Sequence, residues 1–272
     1  MMNITREQIW ELRKIISTSF TNKGVYTISL CGKSYKVAYE GRNIKEDRDY
    51  SLLRHLGAGR SCILDVGSNV GISSLLLAEN NNARIYSFEA SEESARLAIQ
   101  HGTWNGIADR LTVVNALVTD RSGDSIPFYW EHSSPGASIT AGYLGHSFAI
   151  YKSSLALDDF VARHAIRPDL IKMDVEGAER MALRGSLQTM QNCHPLIVIE
   201  LHSNSYGALT FQENAQHLLD LAASAGYEMV YLRTLETVAS GNQLDRGRCH
   251  VLLCRRGFNY KELFKNFPTT RL

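Results

Sequence analysis

The sequence predicts an α/β protein built on a mostly parallel sheet with an antiparallel pair at one edge. Three observations carry this. Cys62-Ile63-Leu64-Asp65-Val66 is a short apolar run that turns on Gly67 and Gly71 and continues as a helix from Ile72 to Ala78, a strand–glycine turn–helix unit. The alternation recurs in Arg84 to Glu89, a helix to Trp104, and Leu111 to Val118, which implies parallel strands with right-handed crossovers. Tyr227 to Leu232 and Cys249 to Leu253 then follow one another with no helical pattern between them, so that pair is antiparallel.

Taken in order, Thr5-Arg6-Glu7-Gln8 has capping-box spacing, and Ile15, Ile16 and Phe20 recur at helical intervals. An amphipathic helix ending near Asn22 follows from this. Val25–Leu30 and Ser34–Tyr39 flank Cys31-Gly32-Lys33 as a hairpin. Glu40 to Tyr50 is a solvated charge run, and Tyr50 to Leu56 a helix leading into the glycine turn. Ser91 caps the next helix, which stops at Asn105-Gly106. Thr119 to Pro168 breaks the rhythm, with a strand at Ile126–Trp130 and a helix at Leu155–His164. Leu170–Asp174 and Pro195–Glu200 are strands ending in acids, the first followed by a helix from Glu176 to about Met190. A helix from Phe211 to Ala225 stops at Gly226. The division read from this pattern is an extension over residues 1–55 and a main domain over 56–272 with an insertion at about 119–168.

A chain of 272 residues with 44% hydrophobic and 21% charged residues and a net charge of +1 is an ordinary globular composition. It offers no basic surface for nucleic acid, no membrane span and no signal-like apolar start, so a cytoplasmic location is expected. The five cysteines form no C-x-x-C pair and read as core thiols. His250 beside Cys249 reads as a strand residue with no third partner rather than as half of a ligand pair. The amphipathic first helix and the tail with Phe258, Tyr260, Phe264 and Phe267 make a homodimer an expectation.

The glycine turn is G-x-x-x-G, with Asn69 where a dinucleotide fingerprint needs its middle glycine. That disfavours a nicotinamide cofactor, because the missing glycine lets the backbone approach a pyrophosphate. Asp65 below the turn suits a positively charged ligand, and Glu89 at the tip of the next strand suits ribose hydroxyls. A nucleoside with a cationic, phosphate-free tail meets both requirements. S-adenosylmethionine is such a molecule.

These residues, with Leu157-Asp158-Asp159-Phe160, Asp174-Val175-Glu176-Gly177-Ala178-Glu179 and Ile199-Glu200-Leu201-His202, resemble the FkbM family of S-adenosylmethionine-dependent O-methyltransferases over about half the chain. Ala90 departs from the pattern, which commonly has a proline after the ribose-binding acid. The resemblance implies a Rossmann-like class I methyltransferase fold of seven strands with a reversed final hairpin. It implies Asp65, Gly67, Ser68, Asn69 and Gly71 around the amino-acid end of the cofactor, with Asp174 beside them. Glu89 and Ala90 would meet the ribose, and Asn115 and Ala116 the adenine. The acceptor would be a hydroxyl of a sugar or small natural product, bound by the extension and the insertion.

Methyl transfer to an alcohol needs the proton removed. Ligands of an open α/β sheet bind at the carboxyl ends of its strands, which brings Asp174, Glu200 and His202 into reach. Either His202 or Asp174 acts as a direct base, the preferred route, or Asp174 and Glu200, with His202, hold a divalent cation such as Mg²⁺. Glu176 and Glu179 read as first-turn acids that offset a helix dipole. His132, His146, Tyr129, Trp130 and Tyr143 are candidates for lining the acceptor pocket. The rival reading is a catalytically silent subunit that only binds S-adenosylmethionine.

Overall fold

The structure is a computed structural model that describes residues 24–80, 82–129, 149–202, 209–244 and 248–267. The expected first helix, Trp130, His132, Tyr143 and His146 lie outside the described residues. The chain divides into two compact units, Met1–Glu46 and Asp47–Leu272. In the first, β1 (Tyr26–Leu30) and β2 (Lys33–Val37) form the expected hairpin. Its turn residues Cys31 and Gly32 both have positive φ, 51° and 77°, the backbone of a two-residue turn whose twist matches its strands.

The second unit opens with α1 (Arg48–Gly57), a helix that the sequence reading assigned to the extension. Then come β3 (Cys62–Val66), α2 (Ile72–Leu77), β4 (Arg84–Glu89), α3 (Glu92–Trp104) and β5 (Leu111–Asn115). Next are β6 (Leu117–Val118), β7 (Ser125–Tyr129), β8 (Ala149–Leu155), α4 (Leu157–His164) and β9 (Leu170–Met173). The unit continues with α5 (Glu179–Arg184), α6 (Leu187–Cys193), β10 (Leu196–His202) and α7 (Phe211–Ser224). It ends with β11 (Tyr227–Tyr231), β12 (Glu236–Thr237), β13 (Arg248–Arg255) and α8 (Tyr260–Leu263). Among the described residues no helix is long and apolar enough to cross a membrane.

The main sheet runs β12-β11-β13-β10-β9-β3-β4-β5. It is parallel from β5 to β10, and β13 enters reversed between β10 and β11. The seven expected strands are present, and the two-residue β12 adds an eighth. A small side sheet, β6-β8-β7, carries the insertion, whose strand β8 had no recognised signal in the sequence.

Register separates the two faces of the main sheet. Asp65 stands opposite Ser87 and Lys172, Lys172 opposite Val198, Glu200 opposite His250, and Glu89 opposite Asn115. Paired residues share a face and side chains alternate along a strand, so Asn115, Glu89, Asp65, Lys172, Glu200, His202 and His250 all lie on one face. The other face is apolar: Leu64, Val66, Phe88, Ile171, Met173, Ile197, Ile199 and Leu201 join one buried cluster with residues of α4 and α7. Phe160 of α4 packs edge-on to Phe88 with centroids 4.9 Å apart, so the end of the expected insertion belongs to the main core.

Three expected elements differ in extent. Leu111–Val118 is two strands, because Leu111–Asn115 pairs with β4 in the main sheet and Leu117–Val118 pairs with β8 in the side sheet. The helix expected over Glu176–Met190 begins at Glu179 and breaks at Gly185. There a Cβ would meet the Thr119 carbonyl at 2.1 Å, and the Gly185 carbonyl accepts the Asp158 N–H. The aromatic tail folds onto its own chain, with Phe264 and Phe267 buried beside His55 of α1. None of the five cysteines is in a disulfide, and burial pushes the Cys62 thiol up to about 11.

Gly67 separates two costs of substitution. Its φ is 76°, and a Cβ would lie 1.7 Å from the Asp174 carbonyl oxygen, whereas Gly106 has φ 74° and open space. Gly106→Ala should cost about 1–2 kcal/mol for the backbone alone. Gly67→Ala should cost at least ~3 kcal/mol, because the clash adds to the strain. Urea unfolding of both variants checks this, and equal losses would contradict it.

Candidate active site

The glycine turn is built from the strand tips upward. Gly67 and Ser68 donate their N–H groups to the Phe88 carbonyl (2.9 and 3.1 Å), tying the turn after β3 to β4. Asn69, in the left-handed region at φ 49°, donates its N–H to Glu89 Oε2 at 2.9 Å. Ser91 donates its N–H to Glu89 Oε1 at 2.7 Å. Burial raises the Glu89 carboxyl, and these two donors oppose that. Each Glu89 oxygen keeps a second lone pair. Gly71 starts α2 because a Cβ there would strike Ala98 at 2.8 Å.

Asp65 sits differently from the sequence expectation. It is fully buried, and its Oδ2 accepts from the Ser73 and Ser74 hydroxyls at 2.7 and 2.6 Å. The positive charge it meets is the protein's own, Lys172 Nζ at 3.5 Å from Oδ1. Lys172 also donates to the Gly67 carbonyl at 2.8 Å and lies 3.3 Å from Asp174. Burial opposes its charge, but Asp174, Asp65 and Glu200 together hold the ammonium above its ordinary value.

Asn115 braces the tip of β4, its amide donating to the carbonyls of Glu89 (2.8 Å) and Ala90 (3.1 Å). Ala90 joins Leu117, Phe128 and Ala178 in a small apolar cluster, with Val175 and Met181 against it. An apolar cluster therefore begins at the residue that follows Glu89.

Two strands over, the structure gathers Asp174, Glu200 and His202 as expected. His202 Nδ1 is 2.7 Å from Glu179 Oε1, which also accepts the Gly177 N–H. With that contact fixing Nδ1, Nε2 faces Glu176 at 3.3 Å and Asp174 and Glu200 at 3.8 Å each. Glu176 is aimed by a left-handed backbone, φ 51°, a conformation that costs a non-glycine residue about 1–2 kcal/mol. Glu179, read from the sequence as helix-start electrostatics, is instead the buried partner of His202.

Lys172, Asp49 and His250 went unrecognised in the sequence. His250 Nε2 lies 3.5 Å from Glu200 Oε2, and its Nδ1 lies 3.5 Å from Asp49 Oδ1 on α1. Burial works against the imidazolium there, but Glu200 and Asp49 raise its affinity for a proton. The reading of His250 as partnerless is thus corrected. The antiparallel pairing of the last strands holds the signal, since it sets His250 opposite Glu200. Tyr50 beside them is pushed up to about 12, by burial and then by Asp47 and Asp49.

His202 keeps its proton up to about 9, because Glu179, Asp174 and Glu176 outweigh the burial that would lower it. A folded value above the unfolded 6.5 means a contribution to stability fully present below pH 6.5 and lost as pH rises through about 9. In chelator-treated protein, the His202 ring signal in NMR should titrate near 9. In Glu179→Gln it should fall toward 6.5, with a shallower loss of thermal stability above neutrality. A wild-type midpoint at the ordinary imidazole value would contradict this assignment.

Against known proteins, the methyltransferase FkbM domain matches residues 65–229, and no curated protein matches the chain. Among solved structures, the chain is similar to methyltransferase FkbM from Methylobacillus flagellatus, at 17% identity and a TM-score of 0.45. That match covers 72% of this chain and 44% of the other, so the chain spans less than half of that protein's length. It is also similar to the O-methyltransferase from Bacillus cereus in complex with SAH, at 13% identity, a TM-score of 0.43 and 94% of each chain. A third is M. jannaschii TYW2 in complex with AdoMet, at 9% identity, a TM-score of 0.45 and 86% of each chain. The fold is the Rossmann-like class I methyltransferase fold. The matched domain spans more than half of the sequence and runs through the glycine turn, the Asp174–Glu179 stretch and the tip of β10, and the chain belongs to the FkbM methyltransferase family.

Proposed function

We propose that the protein is an S-adenosylmethionine-dependent O-methyltransferase acting on a hydroxyl of a sugar or small natural product. The observation that carries this is the sharing of one sheet face by two groups of residues. Glu89 with its turn lies at the tips of β3 and β4, and the Asp174–Glu200–His202 group lies at the tips of β9 and β10. Those four strands are neighbours, about 4.8 Å apart.

The residues fit the cofactor. Glu89 has lone pairs left for two vicinal hydroxyls, and the apolar cluster of Ala90, Leu117 and Phe128 beside it suits a flat base. Gly67, Ser68, Asn69 and Gly71 shape the turn, and Asn115 and Ala116 fix the edge next to it. S-adenosylmethionine supplies an electrophilic methyl group when bound.

The chain's own part is to orient the acceptor and manage its proton. Without a bound cation the acids around His202 hold its proton up to about 9, which makes it a poor direct base. Asp174, about a quarter exposed and 3.8 Å from His202, is then the group open to the acceptor's proton. Lys172 holds Asp174 in position from behind.

Calorimetry with S-adenosylhomocysteine and label transfer from S-adenosylmethionine to a panel of sugars, phenols and aliphatic alcohols test the reading. Binding is expected, with Glu89→Gln weakening it ~10- to 100-fold through lost charge-assisted hydrogen bonds. No heat with the homocysteine product would overturn the cofactor assignment. Binding without transfer to any hydroxyl would favour the silent-subunit reading.

A further inference from the structure

The two histidines of the site are arranged alike. Each has Nδ1 against an outer carboxylate, Glu179 for His202 and Asp49 for His250. Each turns Nε2 toward a different oxygen of Glu200, at 3.8 and 3.5 Å. Glu200 is nearly buried, and its two oxygens are thus divided between two imidazoles. A ring whose far nitrogen is held by a carboxylate presents the opposite nitrogen with a fixed tautomer and direction, as metal-binding histidines do.

On the His202 side the donors converge. Single atoms of Asp174, Glu200 and His202 lie within 4.8 Å of one another. Glu176 Oε2 is 3.3 Å from the same Nε2. Among the described residues the negative charge is in excess: Asp49, Asp174, Glu176, Glu179 and Glu200 face two imidazoles and the ammonium of Lys172. Glu179 is fully buried, and its Oε2 has no hydrogen-bond partner among the described residues. Buried carboxylates crowded around one imidazole are stabilised by a further positive charge.

We infer that Asp174, Glu200 and His202 hold one divalent cation of the Mg²⁺/Mn²⁺ class, and that Asp49 and His250 are its positioning residues, fixing Glu200 from behind. Two carboxylates with one imidazole favour a hard or borderline cation over a thiophilic one. The Asp49–Glu200–His250 group also brings single ligand atoms within 4.8 Å of one another; the cation is placed on the His202 side because Glu176 Oε2 adds a fourth donor there, 3.3 Å from Nε2. Both positioning residues lie outside the matched family stretch of 65–229. The inference rests on the methyltransferase reading only for its purpose. A cation there would take over the part given above to Asp174 alone, polarising an acceptor oxygen and easing loss of its proton.

The test uses the full chain, stripped with chelator and titrated with Mn²⁺ alone, read by calorimetry and by electron paramagnetic resonance. Wild type should take up one Mn²⁺ per chain with a nitrogen coupling from His202. Asp174→Asn and His202→Gln should lose uptake by ~100-fold or more, and His202→Gln should lose the nitrogen coupling. His250→Gln and Asp49→Asn should weaken uptake ~10- to 100-fold while keeping it. No stoichiometric uptake by wild type overturns the inference. Uptake unchanged in both His250→Gln and Asp49→Asn overturns the positioning role. S-adenosylhomocysteine calorimetry on the same stripped samples reports folding and separates the two readings: heat there without Mn²⁺ uptake sinks only the cation centre.

Discussion

A single buried ammonium holds the two halves of this site together. Lys172 lies inside β9, within a run of otherwise apolar buried residues, and reaches the Gly67 carbonyl, Asp65 and Asp174. The first two belong to the glycine turn and the strand beneath it, the third to the acid and histidine group. An unpaired charge in such a position costs several kcal/mol, so each partner constrains where the others sit. Asp65 is fixed by the register that sets it opposite Lys172 and by the hydroxyls of Ser73 and Ser74.

The faces of the sheet explain why so many polar groups can be buried together. One face supplies the apolar contacts that stabilise the fold, through Phe88, Met173, Ile199 and their neighbours under α4 and α7. The opposite face is left to carry charge toward the strand tips. Alternation along the strands does the sorting: Glu200 and His202 are two and four residues beyond Val198, the residue paired with Lys172. A one-residue slip of β10 would turn both into the core. The site is thus a consequence of register as much as of residue identity.

Much of this was legible in the sequence because it is local. The strand–turn–helix at Gly67 and Gly71, the hairpin at Cys31-Gly32, the Ser91 cap and the acid-ended strands each declare themselves within ten residues. Asp174, Glu200 and His202 could be brought together by the rule that sites form at strand tips. What escaped was set by pairing between distant segments. The role of Asp65 changed because its cation comes from β9, more than a hundred residues away. His250 gained partners from α1 and β10, and the break at Gly185 follows from the approach of Thr119. Such contacts leave no periodic trace in either segment alone.

The central claim is that Lys172 and Asp65 are energetically one unit through which the glycine turn and the acid group are joined. A double-mutant cycle on unfolding free energy, with Lys172→Met, Asp65→Asn and the pair, tests it most directly. The account predicts a favourable coupling above about 1 kcal/mol, because each single change strands the other charge in the interior. Additive losses, with coupling within about 0.5 kcal/mol of zero, would contradict it.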